Sequence, residues 1–160
     1  MVKVCILCVG KLKERYLCDA VAEYCKRLTP YAKVEICEVG EYRLPAEPSG
    51  AEISAGIEKE GAELAAKIPP RAAVIALCVE GNQLSSEDFS AKLDRLALTG
   101  ASEICFLIGG SFGLSEALKR RADLRLSFSK MTFPHQLMRV ILLEQVYRAF
   151  QISTGGKYHK

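Results

Sequence analysis

Apolar and polar positions alternate along the chain with two periods. Val2–Val9 is a nearly unbroken apolar run ending at Gly10, which predicts a buried strand. Glu14–Leu28 carries apolar residues at helical spacing and stops at Thr29-Pro30. Val34–Val39 predicts a second strand. A polar loop, Pro45–Gly50, leads to a helix over Ile53–Ile68 that Pro69-Pro70 ends. Ala72–Val79 is continuously apolar, as in a strand covered on both faces. Ser85–Leu98 predicts a third helix, with Ser85 as N-cap and Phe89, Leu93 and Leu96 on one face. A strand over Glu103–Ile108 runs into Gly109-Gly110. A short helix over Ser115–Arg121, a short strand over Leu124–Ser127 and a long helix over Pro134–Ile152 follow.

This alternation predicts one α/β domain over residues 1–160, a mostly parallel sheet with helices on both faces. Ligands in such sheets bind beyond the carboxyl ends of the strands. Those ends here are Leu77–Gly81, Ile108–Gly113 and Ser127–Pro134. The last helix is apolar nearly all round (Leu137, Met138, Val140, Ile141, Leu142, Leu143), so it predicts a second burial surface and a homodimer.

Composition narrows the class. At 49% hydrophobic, the 160 residues carry too much apolar surface for a disordered chain. No apolar run approaches the roughly 20 residues of a membrane span. The opening stretch reads as a strand rather than an export signal, so the expected location is cytoplasmic, with no membrane partner. In that reducing compartment the seven cysteines are expected as buried thiols. Cys5 and Cys8 sit three apart in a strand and point to opposite faces, so they cannot share an ion, and no metal is expected. Charge is uneven. Residues 115–160 hold nine Lys/Arg against three Asp/Glu, or +6; the chain is +3, which leaves residues 1–114 at −3. The basic third suits either an acidic partner or a solvated helix face.

Three constellations carry candidate chemistry. Gly109-Gly110-Ser111-Phe112-Gly113 joins a strand to a helix, where glycines let backbone N–H groups approach a ligand. It is neither GxGxxG nor a P-loop, but it matches the G-x-S-x-G elbow of serine hydrolases, with Ser111, Asp123 and His159 in the required order. The alternatives are a plain tight turn and, for Asp123, a surface ion pair with Arg120, Arg121 or Arg125. Ser127–Gln136 is a mixed polar and apolar loop suited to hold a planar ring, and His135 closes it. The tail Gly155–Lys160 ends in a Tyr-His pair, either a mobile end or a source of a base.

Taken together, VEGNQLSSEDF (79–89), FLIGGSFGLSEAL (106–118), residues 126–152 and the terminal YHK (158–160) resemble one family. VGKLKERYL (9–17) and EYCKRLTPYAKVEI (23–36) fit it too. It is the bacterial 23S ribosomal RNA pseudouridine-N3 methyltransferases (the RlmH family) of the SPOUT, or α/β-knot, class. The resemblance implies a Rossmann-like sheet with a C-terminal deep trefoil knot, and S-adenosylmethionine held bent at Leu77, Gly109, Phe128, Ser129, Lys130, Met131, Thr132, Phe133 and Pro134. It implies a homodimer acting on 23S rRNA in the assembled ribosome, with the basic segment 115–160 on phosphates. His159 is the candidate base, Tyr158 and Arg148 orient or stabilise charge, and His135 is the reserve. A serine hydrolase on Ser111 and a non-catalytic ribosome-binding protein of the same fold are the competing readings.

Overall fold

The computed structural model describes all 160 residues. Ten elements alternate: β1 (Val2–Val9), α1 (Arg15–Leu28), β2 (Ala32–Val39), α2 (Gly50–Lys67), β3 (Ala73–Gln83), α3 (Ser86–Leu98), β4 (Ile104–Ile108), α4 (Glu116–Arg121), β5 (Leu124–Ser127) and α5 (His135–Ser153). The sheet is parallel throughout, in the order β2-β1-β4-β3-β5.

The strands are apolar on both sides because both sides are covered. On one face Val4, Ile6 and Cys8 of β1, with Ile75, Ile104 and Phe106, meet Leu28 of α1, Phe89 and Leu93 of α3, and Leu142, Leu143 and Val146 of α5. On the other, Cys5, Leu7 and Val9 meet Leu64 of α2, Ile68 just past its end and Leu118 of α4. Ile6 and Leu7 are fully buried, each contributing about 2 kcal/mol of hydrophobic stabilisation. Cys5 and Cys8 lie in opposite cores, as strand alternation requires, and all seven cysteines are free thiols.

Serine caps set three helix starts. The Ser49, Ser85 and Ser115 hydroxyls accept from the backbone N–H groups of Glu52, Asp88 and Leu118. Glu52 returns the bond to Ser49 N–H, a capping box that starts α2 at Gly50, three residues before the apolar pattern does. Helices α3 and α5 run parallel in a fixed register. Ser86 bonds Gln145, Ser90 bonds the Ala149 carbonyl, and Ser153 bonds Asp94, each pair 59 residues apart.

The structure corrects two expectations. β3 does not end at Val79; it bulges and re-pairs Asn82 and Gln83 with Leu126 and Ser127 of β5. Gly81 permits this, because a Cβ there would lie 2.8 Å from the Arg125 carbonyl carbon. Asp123 forms no ion pair with the neighbouring arginines. Its Oδ2 accepts from Val74 N–H at 2.8 Å and its own N–H bonds the Val74 carbonyl, so it starts β5 against β3.

The chain then crosses the top of the sheet. Phe128–Pro134 leaves the β5 edge, passes the ends of β3 and β4, and delivers α5 to the end of β1. There Arg139, 2% exposed, donates to the Gly10 carbonyl at 2.7 Å and pairs with Glu38, while Gln136 reaches the Lys11 carbonyl. Burial works to raise the Glu38 pKa, but Arg139 and the Leu12 N–H outweigh it and hold the carboxyl below its ordinary value.

Candidate functional site

A cleft of about 660 Å³ opens where the three strand ends converge. Its walls are the β3 extension (Leu77–Glu80), the turn Ile108–Leu114 and the crossing segment with the start of α5 (Leu126–Ser129, Met131–His135, Met138). Volume and a half-apolar lining suit a small organic ligand, for which pockets run about 300–1,000 Å³.

Each wall has a local cause. In the glycine turn, Gly113 has φ +88° and donates to the Gly110 carbonyl at 3.0 Å. A Cβ at Gly109 would stand 2.4 Å from the Gly113 carbonyl carbon, so the turn closes on itself only with glycine there. The crossing loop is curled by its serines. Ser127 Oγ donates to the Ser129 carbonyl at 2.9 Å, and Ser129 Oγ accepts from Met131 N–H at 3.0 Å. Phe128 and Met138 pack onto the core behind the cleft. Lys119 of α4 pairs with Glu80 and with Glu116 and ties the β3 extension in place. The bond from Lys119 holds the Glu80 carboxyl below its ordinary pKa.

Eight of the nine expected ligand-holding residues line this cleft: Leu77, Gly109, Phe128, Ser129, Met131, Thr132, Phe133 and Pro134. Lys130 does not; its side chain is exposed and outside the wall. His135 lines it as well. Val79 and Glu80 lie within the strand end Leu77–Gly81 marked from the pattern, whereas Lys119 was missed. Lys119 carries no local signal, because its place at the cleft comes from its tertiary pairing with Glu80.

The tail residues gather elsewhere. Gly155, at φ +72°, turns the chain back along α5. Tyr158 donates to Glu144 at 3.0 Å and meets Tyr147 edge-on at 4.9 Å. Arg148 grips the same carboxylate, with Nη2 at 2.6 Å, and its guanidinium lies 4.7 Å from the Tyr158 ring centre. Arg148 Nη1 contacts His159 Nδ1 at 3.1 Å, and His159 Nε2 meets Glu87 at 2.8 Å. A guanidinium only donates, so Nδ1 accepts and the Nε2–H donates to Glu87. Burial, then the Glu144 bond, push the Tyr158 phenol up to about 12, so it is a donor and not a base near neutrality. None of Arg148, Tyr158 or His159 lines the cleft of its own chain. Sequence reasoning missed Glu87 and Glu144, the two carboxylates that organise this cluster.

The hydrolase constellation does not assemble. The Asp123 carboxylate is spent on Val74 N–H, and His159 lies outside the cleft that Ser111 lines. The basic segment is also thinner than its count of nine. Arg139 is buried, Arg148 is held by Glu144 and Lys119 by Glu80, which leaves Arg120, Arg121, Arg125, Lys130, Lys157 and Lys160 exposed and outside any salt bridge.

A parallel sheet with a cleft over its carboxyl ends and a last helix returned across them defines an α/β class that binds ligands at the carboxyl edge of its sheet. A family model described as "Predicted SPOUT methyltransferase" matches residues 2–159. The fold superposes on a probable methylase family protein from Haemophilus influenzae Rd KW20 with a TM-score of 0.52 at 11% identity, covering 99% of this chain and 70% of that one. Within the class, the chain is 55% identical over 155 residues to the ribosomal RNA large subunit methyltransferase H of Listeria monocytogenes serotype 4b (strain CLIP80459), covering 97% of this chain and 98% of that protein. It is 54% identical over 155 residues, with the same coverage, to the protein of that name from Bacillus thuringiensis (strain Al Hakam). The chain belongs to the ribosomal RNA large subunit methyltransferase H family of SPOUT methyltransferases.

Proposed function

We propose that this protein methylates N3 of a pseudouridine in 23S rRNA of the assembled ribosome, acting in the cytoplasm as a homodimer. S-adenosylmethionine is the methyl donor. The observation that carries the reading is the convergence of three sequence segments, far apart in the chain, on one cleft of suitable size and lining.

The residues fit that donor. Leu77, Phe128 and Phe133 offer apolar cover for a planar base, and the backbone of the Gly109 turn and of Met131–Pro134 offers polar groups to its edge and ribose. In the trefoil knot this reading assigns, Phe128–Pro134 is the segment at which the C-terminal part threads. When bound, the donor supplies an activated methyl on a positive sulfur. The chain supplies position, worth much of the rate in an in-line transfer. It must also remove the proton from an imide nitrogen that is protonated at neutral pH.

His159 takes that proton on Nδ1, its one unprotonated nitrogen, in the cleft of the partner subunit once that nitrogen is released from Arg148. Two observations support this. The tail sits outside its own cleft, and the α5 face bearing exposed Leu137 and half-buried Val140 and Ile141 lies beside Glu144, Arg148 and the docked tail. Glu87 and Glu144 position the cluster, and Arg148 stabilises developing negative charge on the base. His135, in the cleft of the same chain, is the second candidate.

The test is transfer from labelled S-adenosylmethionine to ribosomes from a strain lacking this protein, read by nucleoside mass spectrometry. A 3-methylpseudouridine at one 23S position is expected. A different methylated nucleoside, or none from folded and donor-binding protein, would overturn the assignment.

A further inference from the structure

A second cleft of about 800 Å³ adjoins the first, and nothing in the proposed reaction uses it. It lies between the β1–α1 loop (Gly10, Lys11, Lys13), the segment after β2 (Glu41–Leu44) and one side of α2. The two clefts share Ser111 and Phe112, and successive residues of α5, His135 and Gln136, face one each. Phe112 therefore stands on the boundary between the two clefts.

Charge in the second cleft is lopsided once partners are counted. Lys11, Lys13 and Arg43 are exposed and in no salt bridge. Of the three carboxylates, Glu38 is taken by Arg139 and by Leu12 N–H. Glu60 accepts from Tyr42 N–H at 2.9 Å, and burial raises its pKa. With Glu38 paired, Glu41 and Glu60 stand against three free cations, which leaves the cleft net positive. The segment that carries Arg43 is fixed. The Tyr42 ring lies where a Cβ on Gly56 would reach it at 2.9 Å, and Lys59 caps the ring at 4.9 Å. Phe112, 53% exposed, stands at the junction and stacks on no other aromatic ring.

We propose that this second cleft is a groove for single-stranded RNA, in which Lys11, Lys13 and Arg43 hold phosphates of nucleotides flanking the methylated one and Phe112 stacks on a neighbouring base. Free cations along a groove with an aromatic platform are the chemistry that binds single strands. The proposal rests on the rRNA methyltransferase reading, and it moves the RNA track from the 115–160 segment to the opposite side of the cleft mouth.

The test uses fluorescein-labelled oligouridylate in anisotropy titrations, with ribosomes in parallel. The K11Q/K13Q/R43Q variant is expected to bind oligouridylate about tenfold more weakly, with the slope of log affinity against log salt reduced by about 2. Its KM for ribosomes rises by a similar factor while kcat and donor affinity hold. Phe112→Ala weakens oligouridylate roughly tenfold. A control variant, K26Q/K67Q/R95Q, removes the same charge away from both clefts and should match the parent. Groove-variant binding equal to the control would overturn the proposal. So would a shift from dimer to monomer in sedimentation, which would make this cleft a contact between two copies. Groove-dependent RNA binding by a parent that transfers no methyl would keep the groove and reject the methyltransferase reading.

Discussion

The cleft and the tail cluster are built on opposite principles. The cleft is made of backbone turns and apolar side chains, and its one lysine is already neutralised by Glu80 and Glu116. The tail cluster is almost entirely ionisable: Glu87, Glu144, Arg148, Tyr158 and His159 in one hydrogen-bonded chain. In the proposed reaction one region recognises shape and the other handles protons. They lie apart within a single chain, and in the proposed mechanism a second copy brings them together. Binding and proton transfer should therefore fail separately under mutation.

The largest expected effect is on the cleft. Gly109→Ala forces its Cβ against the Gly113 backbone, displacing the turn by the ångström scale that costs about 100-fold in rate. Calorimetric titration should show donor affinity falling with it. Intact affinity would mean that the turn does not shape the ligand site.

His159→Ala strikes the other region. Transfer should drop by about 100-fold, as for loss of a general base, with donor affinity kept. Equal activity in His159→Ala and loss in His135→Ala would reverse the assignment. Mixing His159→Ala with Gly109→Ala protein sharpens the comparison further. A heterodimer retains one intact cleft facing one intact tail, so activity should reappear on mixing.

Arg139→Ala tests the support beneath both. It removes a buried guanidinium from Glu38 and the Gly10 carbonyl and should cost about 3 kcal/mol in urea unfolding. A smaller loss is expected for Arg139→Met, which keeps the packing.

The pH dependence of the tail is a weaker effect with a definite sign. The Tyr158 pKa is raised from 10 to about 12 on folding, so its contribution to stability is full below pH 10 and is lost as pH rises through about 12. Ultraviolet titration should show one late-ionising tyrosine that disappears in Tyr158→Phe. The smallest effect is expected of Ser111→Ala, a few-fold at most on transfer; complete loss would revive Ser111 as a nucleophile.

Much of the fold was legible because period and punctuation are local. The spans of β1 and β5 matched the apolar pattern, and Ser85 capped α3 as its position before Phe89 required. Errors fell where partners decide. The β3 bulge depends on β5 passing close enough to exclude a Cβ at Gly81, and the role of Asp123 depends on the free N–H of Val74. The basic count of 115–160 overstated its free charge because Arg139, Arg148 and Lys119 meet carboxylates that lie between 3 and 101 residues away.

By itself, the sequence determined the strand–helix alternation, the two-sided apolar strands and the three segments whose motifs mark the family. These follow from side-chain periodicity and turn chemistry, which act over a few residues. Tertiary structure alone decided that those segments meet in one cleft, that His159 is oriented by Glu87 and Arg148, and that Lys11, Lys13 and Arg43 stand free beside it. Each of those outcomes is an electrostatic or steric pairing between residues far apart in sequence, and such pairings exist only once the chain has crossed over itself.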